Sequence, residues 1–266
     1  MLNWYAFLPW RDSGAEPPSR PLASPPGTVA AALSYRETGD PFPESHEARR
    51  SLRIGLCSSL SWGFLRELIG RVRALPSPPD LSFVEGSPRE LAADVRRGRL
   101  DVAFVFGPCE VGQLKSEPLW AEPVLLLAPE RDPLARSNAV QPAALRQERF
   151  LACGGPEDFA NQLGLIEQTI GGTPAGLDCL RLSREALMNM VGLGFGVALS
   201  PSSSMGAFYP GVAYRPIAGP APAVSFQAVW QEHNRNPDLG PFLATARAFS
   251  ARWAHDPAHV PMREAS

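Results

Sequence analysis

Serine residues follow two predicted strands at the point where each strand ends. Ser58 and Ser59 come directly after LRIGLC (52–57), and Ser87 follows LSFV (81–84). In an open parallel sheet the carboxyl ends of neighbouring strands share one edge, where helix N-termini present unpaired N–H groups and a positive dipole end. Serines at two such helix starts could bind a carboxylate. Serine is also a favoured N-cap, so the alternative is that these side chains only cap helices.

Three glycines alternate with apolar residues in MVGLGFGVALSP (190–201). A dinucleotide-binding turn needs a strand before its glycines and a helix after them. Here a helix predicted over 184–191 precedes the glycines and a strand follows them, so we do not expect nucleotide binding. We predict instead that Gly192 or Gly194 ends the helix at positive φ and that Gly196 allows close backbone packing.

Side chains suited to catalysis are scattered along the chain rather than grouped. The histidines have neither an H-E-x-x-H pair nor a Gly-x-Ser-x-Gly turn beside them (His46, His233, His255 and His259). Cys57 ends a predicted strand, but a nucleophile needs a base within reach, and the sequence shows none. We therefore predict no catalytic residue, no metal site and no cofactor, so that the protein is not an enzyme.

The four cysteines are far apart, with no Cys-x-x-Cys and no histidine at metal-ligand spacing (Cys57, Cys109, Cys153 and Cys179). We interpret them as free thiols that act as small buried hydrophobes in a reducing compartment. The opening MLNWYAFLPW has no basic residue and is broken by Pro9, so it makes a poor signal peptide. These features predict a cytoplasmic protein.

The composition bounds the class of protein. Apolar residues make up 44% of the 266, enough for a full core, and no segment approaches the roughly 18 to 20 apolar residues that span a bilayer. Lys and Arg total 25 against 27 Asp and Glu, a net charge of -2. The chain therefore lacks the excess of positive charge that is typical of proteins that bind nucleic acid or another polyanion. No membrane association is expected.

Two parts of the chain differ in composition and in hydrophobic pattern. Residues 1–50 place eight prolines among serine, glycine and charged residues, which predicts a mostly disordered extension with at most a short helix over 28–36. From Leu52 onward short apolar runs alternate with amphipathic segments, a pattern typical of an α/β fold with a largely parallel sheet. Residues 257–266 form a tail.

The predicted elements make two linked α/β units. Ser87, Pro88 and Glu90 form a capping box with proline at the first helical position, which predicts a helix that ends at Gly98. We expect further helices after the first strand and over 156–170, 184–191 and 241–253. We expect strands at 52–57, 81–84, 100–106, 124–129, 149–154, 179–182, 195–199 and 223–230.

Several ordered motifs resemble the effector-binding domain of LysR-type transcriptional regulators. LRIG (52–55), a strand ending in EGS (85–87) and GRLDVA (98–103) match that family's opening pattern. PLWAEPVLLLAPERDPLA is similar to the family's next segment, although Asp132 stands where histidine is common, and SREALMNMVGLGFGVALSP is similar to a later one. The resemblance covers residues 52–253.

The resemblance implies a fold like type 2 periplasmic binding proteins, with two Rossmann-like subdomains joined by crossing strands. Subdomain I would hold 52–121 and 226–256, and subdomain II 122–225. A small and anionic effector would bind in the cleft between them, with Ser59 and Ser87 where family members contact a carboxylate. The full set of implied cleft residues is Ser58, Ser59, Leu60, Gly86, Ser87, Phe106, Gly107, Gly154, Pro156, Ser200 and Pro201.

Residues 1–50 do not resemble the winged helix-turn-helix with which full-length members of this family begin. We therefore expect a domain that senses a metabolite to regulate transcription without binding DNA directly. It would act as a homodimer or in a mixed oligomer with a full-length regulator. The alternatives are a solute-binding protein of a transporter, which requires export, and an enzyme on the same fold, which requires a catalytic group in the cleft.

Overall fold

The computed structural model describes residues 51–107, 112–219 and 222–253, all of which belong to a unit that begins at His46. The predictions for residues 1–50, the helix over 28–36 and the tail at 257–266 lie outside the described residues and stay predictions. Within the described ranges no helix is long and apolar enough to cross a membrane.

Three parallel strands form the first part of the sheet. Strand β1 (Leu52–Leu56) lies between β2 (Leu81–Glu85) and β3 (Val102–Phe106). Helices α1 (Phe64–Arg73) and α2 (Pro88–Arg96) connect them and bury their apolar faces. β1 and β3 are almost wholly buried apolar runs, as expected for strands covered on both faces.

The two predicted helix starts have different outcomes. The capping box of α2 is confirmed, since the Ser87 hydroxyl accepts from the Glu90 amide and the Glu90 carboxylate accepts from the Ser87 amide. The prediction that Ser58 and Ser59 open α1 is wrong, because α1 begins after Gly63, whose φ of 87° lies in the left-handed region. The intervening turn is held by a distant contact instead, the Ser61 hydroxyl donating to the Ser203 carbonyl at 2.6 Å.

Two long strands run through the middle of the sheet. β4 (Lys115–Pro129) pairs with β9 (Ala223–Trp230) through Pro123, and from Val124 onward it pairs with two later strands. Those strands are β7 (Ala198–Pro201) and β8 (Val212–Pro216), and every one of these pairings is antiparallel. The sheet is therefore mixed rather than largely parallel, because β9 returns from late in the chain to lie between β3 and β4.

A second α/β layer follows β4. β5 (Arg149–Cys153) and β6 (Gly176–Leu180) pair in parallel, and α3 (Pro156–Ile170) connects them. After β6 comes α4 (Arg184–Gly192), and α5 (Leu239–Trp253) ends the described chain. An apolar cluster joins α4 to β4 and β5 through Leu127, Leu151, Leu187, Met188, Val191, Ala198 and Val212.

Some predicted strand boundaries are displaced. The strand predicted at 195–199 begins only at Ala198, because Phe195 is 58% exposed and Val197 makes an isolated bridge to Phe150. The strand predicted at 179–182 ends at Leu180, before a turn in which Leu182 is exposed. β8 was not predicted, and β4 is much longer than its predicted six residues.

The glycine run behaves as the order of its elements predicted. Gly194, just after the C-cap of α4, has a φ of 88°, whereas Gly192 is the last residue of the helix. A Cβ added to Gly196 would lie 2.5 Å from the Arg149 carbonyl oxygen, so a side chain cannot be accommodated there without a shift. The glycines shape the backbone, and they precede a strand rather than a phosphate-binding helix.

We expect Gly196→Ala to lower the free energy of unfolding by about 1–3 kcal/mol, the usual cost of forcing extra volume into a packed position. Gly70→Ala is the matched control, because Gly70 lies within α1 and an added Cβ meets nothing within 4 Å. That control should stabilise the protein by about 0.5–1 kcal/mol. Urea denaturation measures both, and equal midpoints for Gly196→Ala and the parent protein would contradict the close approach.

Candidate ligand-binding cavity

A cavity of about 1350 Å³ opens at the carboxyl ends of the parallel strands. The ends of β1, β2 and β3 line one side, and the starts of α3 and α4 together with the end of β7 line the other. This is the position at which open α/β sheets bind ligands, since the strand ends and the helix starts present backbone groups that the sheet itself does not use.

Ten of the eleven residues expected in the cleft surround this cavity: Ser58, Ser59, Leu60, Gly86, Ser87, Phe106, Gly107, Gly154, Ser200 and Pro201. Pro156 does not line it, because as the first residue of α3 it is exposed. Its neighbours Gly155 and Asp158 lie on the cavity wall, with the Gly155 amide donating to the Asp158 carboxylate at 3.0 Å.

The two serines expected to bind a carboxylate already bond within their own turns. The Ser87 hydroxyl donates to the Glu90 carboxylate at 2.8 Å, as part of the capping box. The Ser59 hydroxyl donates to the Ser61 hydroxyl at 2.8 Å and accepts from the Ser61 amide at 3.1 Å. A carboxylate that accepts a hydrogen bond from either hydroxyl must therefore replace an existing one.

Ser58 is different from its neighbours. Its side chain is buried, with 4% of the residue exposed, and its hydroxyl has no hydrogen-bond partner among the described residues. A buried polar group without a partner costs roughly 1–3 kcal/mol, so such groups are rare and call for an explanation. Because Ser58 lines the cavity, a bound ligand could supply the missing partner.

The structure adds Arg184, which the sequence analysis did not select. Its Nη2 donates to the Cys57 carbonyl oxygen at 2.9 Å, so this side chain joins the start of α4 to the end of β1. Among the described residues around the cavity it is the only basic one. One sequence feature pointed to it, since a cation in the first turn of a helix opposes the helix dipole and needs another reason to be there.

Carboxylates also surround the cavity, in the side chains of Glu85, Glu90, Asp158 and Glu185. With one guanidinium against four acids, the cavity as a whole does not attract anions. Two of the acids are held by their own turns, Glu90 by Ser87 and Asp158 by Gly155. Attraction for an anionic group is therefore a local property of the wall around Arg184.

The thiols near the cavity are protonated and unreactive at neutral pH. Burial raises the pKa of the Cys57 thiol to about 12, against a smaller opposing effect of the Phe106 backbone and the Arg184 charge. Burial also raises the pKa of Cys153. Cys57 is a small buried hydrophobe as predicted, but Cys153 is half-buried and Cys179 is exposed because β6 has only one neighbouring strand. Cys109 lies outside the described residues.

Metal-ligating and catalytic side chains do not converge in the described part of the chain. Within residues 51–107, 112–219 and 222–253 no group of three or more His, Cys, Asp or Glu side chains could hold a metal ion. His233 follows β9 and does not line the cavity, and the other three histidines lie outside the described ranges.

Comparison with known proteins assigns the family. A sequence model of the LysR substrate binding domain matches residues 45–251. The chain belongs to this family, as the ordered motifs implied.

Relatives among characterised proteins are transcriptional regulators. The chain is 26% identical over 198 residues to the Hca operon transcriptional activator HcaR of Escherichia coli K12, covering 73% of this chain and 66% of that protein. It is 29% identical over 171 residues to the HTH-type transcriptional regulator BudR of Raoultella terrigena, covering 61% and 57% respectively. The chain thus spans just under two thirds of the length of the first relative and less than three fifths of the second.

Solved structures with the same fold are LysR effector-binding domains. The BenM effector-binding domain with its effector benzoate superposes with a TM-score of 0.65 at 19% identity, covering 80% of this chain and 98% of that one. The effector-binding domain of QuiR in complex with shikimate gives a TM-score of 0.65 at 16% identity, covering 76% and 97%. The predicted α/β fold of the type 2 periplasmic-binding-protein class is confirmed.

Proposed function

We propose that this chain is an effector-binding domain that senses a small carboxylate-bearing metabolite and so regulates transcription. The observation that carries the proposal is the cavity at the strand ends, whose wall contains a cation and a buried hydroxyl that has no hydrogen-bond partner among the described residues. Family membership supports the regulatory part, because the characterised relatives are transcriptional regulators. The ligands named for the structural neighbours, benzoate and shikimate, are both carboxylates.

We propose subdomains at the boundaries 52–121 with 226–256 and 122–225. Support comes from β4, whose partner changes from β9 to β7 between Pro123 and Val124. The strands β4 and β9 would then be the connections about which the two subdomains close on a ligand. An effector shifts this equilibrium only by as much as it binds the closed state more tightly than the open one, and contacts on both cavity walls supply that difference.

We extend the proposal to the residues around the cavity and to the setting in which the domain acts. The eleven residues expected from the resemblance remain ligand-binding candidates, with Pro156 at the margin. The domain binds without turnover, in the cytoplasm, as a homodimer or with a full-length regulator. Light scattering after size-exclusion chromatography tests the last point, and a monomer that joins no regulator of the family would contradict it.

A thermal-shift screen of the full chain tests the function. The panel holds small aromatic and alicyclic carboxylates, including benzoate and shikimate, each beside its primary amide. A single-site ligand at one hundred times its Kd adds about 2.7 kcal/mol to the free energy of unfolding. For a domain of this size that raises the Tm by roughly 5–10 °C. We expect carboxylates among the compounds that do so; a panel that leaves the Tm unchanged would argue against the function.

A further inference from the structure

The Arg184 side chain contacts a fixed point on the opposite cavity wall. Its acceptor is the carbonyl of Cys57, a residue whose amide donates to the Phe104 carbonyl of β3 at 3.3 Å, so the sheet holds Cys57 in place. Arg184 is in turn placed by α4, whose N-cap Ser183 accepts from the Ala186 amide at 3.2 Å. Both ends of this cross-cavity contact are therefore positioned by regular structure.

The Arg184 guanidinium uses little of its bonding capacity. It carries five N–H donors, and among the described residues the Cys57 carbonyl is its one hydrogen-bond acceptor. None of the carboxylates in the described part of the chain is bonded to it. The neighbouring Cys57 and Cys153 are thiols whose raised pKa keeps them neutral at pH 7. The buried Glu122 carboxyl, on which the Arg184 charge acts, is bonded to Trp120 and Ser203 instead. The remaining Arg184 donors are thus left able to bind an anion.

Ser58 supplies a second, independent observation at the same place. It directly follows Cys57, whose carbonyl accepts from Arg184, and its buried hydroxyl lacks a partner in the described part of the chain. A carboxylate offers lone pairs on two oxygens, enough to accept from a guanidinium and a hydroxyl together. Ser59 and Ser87, by contrast, already donate their hydroxyl protons within their own turns.

We propose that Arg184 and Ser58 form the carboxylate subsite of the cavity, and that Arg184 exchanges the Cys57 carbonyl for the carboxylate of the ligand. The inference rests on the proposed function and assigns the ligand's charged group to one part of the cavity. The rest of the ligand then lies toward Gly86, Ser87 and Phe106, where uncharged groups suit the nearby acids Glu85 and Glu90.

The subsite makes the negative charge of the ligand necessary for tight binding. A carboxylate replaces a neutral acceptor at Arg184 with a charged one and gives the Ser58 hydroxyl its missing partner. The corresponding amide has one acceptor oxygen and carries no charge, so it gains much less. Because Arg184 and Ser58 are on opposite walls, the carboxylate holds the walls together only while both side chains are present.

Titration calorimetry on the full chain tests the subsite with benzoate, shikimate and ten related carboxylates, each paired with its amide. The variants are Arg184→Gln, Arg184→Lys and Ser58→Ala. Arg181→Gln is the matched control, since Arg181 is exposed, lies three residues away and does not line the cavity. Arg184→Gln should weaken carboxylate binding by about tenfold to a hundredfold, the range for charge-assisted hydrogen bonds. Ser58→Ala should weaken it by about tenfold, and Arg184→Lys should restore part of the loss.

The Nε–Hε resonance of Arg184, assigned by its absence in Arg184→Lys, gives a direct readout by ¹⁵N NMR. Carboxylates should shift it and amides should not, while amide binding and the unliganded Tm should be similar in the parent, Arg184→Gln and Arg181→Gln proteins. Compounds that bind equally well to Arg184→Gln and leave this resonance unmoved would overturn the subsite and leave the proposed function standing. If no compound of either kind binds the parent protein, both proposals fail.

Discussion

Replacing Asp101 with alanine is expected to lower the free energy of unfolding by about 3–5 kcal/mol at pH 7, the cost of removing one partner from a buried ion pair. The Asp101 carboxylate is 2% exposed and accepts from the Arg53 guanidinium in two parallel bonds of 2.8 and 3.0 Å. It also accepts from the Arg53 amide at 2.9 Å. The substitution would leave a partly buried guanidinium without its charge partner.

The same carboxylate fastens a distant part of the chain. The side-chain amides of Asn234 and Asn236 each donate to it at 3.1 Å, and that of Asn236 also donates to the Ser51 carbonyl at 3.1 Å. Asp101 thus ties the starts of β1 and β3 to the loop that connects β9 with α5. Losing it removes the acceptor of five N–H donors at one point, so we expect a large loss of stability.

The effect of Asp101 should depend on pH in a definite direction. Burial alone would raise the pKa of Asp101, but the bonds from Arg53 and Asn234 and the Arg53 charge together hold it below its ordinary 3.8. A carboxyl with a lowered folded-state pKa stabilises fully above its unfolded value and loses that contribution as the pH falls through the folded value. The gap between parent and Asp101→Ala proteins should therefore shrink below about pH 4.

Urea denaturation at pH 7 and at acidic pH measures this gap. Asp178→Ala is the control, because its partner Arg149 is 66% exposed and surface pairs contribute about 0–1 kcal/mol. Adding Arg53→Ala to Asp101→Ala should recover part of the loss, since the unpaired charge is removed as well. A loss below 1 kcal/mol at pH 7 would show that the network is not a major source of stability.

Asp101 also shows which information the sequence carries and which it does not. The motif GRLDVA drew attention to this aspartate as part of a family pattern, but its partners Asn234 and Asn236 lie more than 130 residues away. Sequence patterns that extend over a few residues do not indicate which distant positions will form a hydrogen bond. For the same reason the helices and buried strands were predicted well from periodicity, whereas the antiparallel order around β9 was not.

Local rules also fail where a tertiary contact overrides them. Ser59 is placed where a helix N-cap is expected. The Ser61 hydroxyl bonds to the Ser203 carbonyl instead, and α1 begins at Phe64, five residues after Ser59. A Cβ on Gly206 would lie 2.2 Å from the Ser61 carbonyl oxygen, so the two loops touch closely. Ser87 therefore caps its helix as expected, whereas Ser59 does not cap α1.

The position of the candidate cavity was easier to predict from the sequence than the chemistry of its wall. The strand ends and helix starts followed from the order of elements, which put ten of the expected residues around one cavity. Which hydroxyls are already bonded depends on side-chain orientations that no sequence pattern specifies. Arg184 could have been noticed as a cation at a helix start, but its acceptor on β1 becomes visible only in the folded chain.

Trp120 lies at the centre of the aromatic core beside the long strands. Its ring stacks on Phe64 with centroids 4.4 Å apart and on Phe226 at 4.7 Å, and Phe104 meets it edge-on at 5.7 Å. Its indole nitrogen donates to the buried Glu122 carboxylate at 2.8 Å. We expect Trp120→Ala to lower the free energy of unfolding by about 3–5 kcal/mol, the usual loss for a large buried aromatic.

Trp120→Phe separates the two roles of this side chain, because it keeps most of the stacking and removes the donor to Glu122. Burial raises the pKa of Glu122 above its ordinary 4.5, although the bonds from Trp120 and Ser203 and the Arg184 charge oppose the rise. Without the indole donor that pKa should rise further. A carboxyl with a raised folded-state pKa loses stabilisation as the pH rises from the unfolded value through the folded one.

The cost of Trp120→Phe should therefore grow as the pH rises above the ordinary 4.5 of a glutamate, by about 1–3 kcal/mol once Glu122 is charged with one donor fewer. Trp230→Phe is the control, since that ring is half-buried and stacks only loosely on Arg247 at 5.9 Å, and its cost should not change with pH. Urea denaturation from pH 5 to pH 8 measures both variants. A cost for Trp120→Phe that is flat across this range would mean that the indole N–H does not support the charged form of Glu122, and the effect of Trp120→Ala would then come from packing alone.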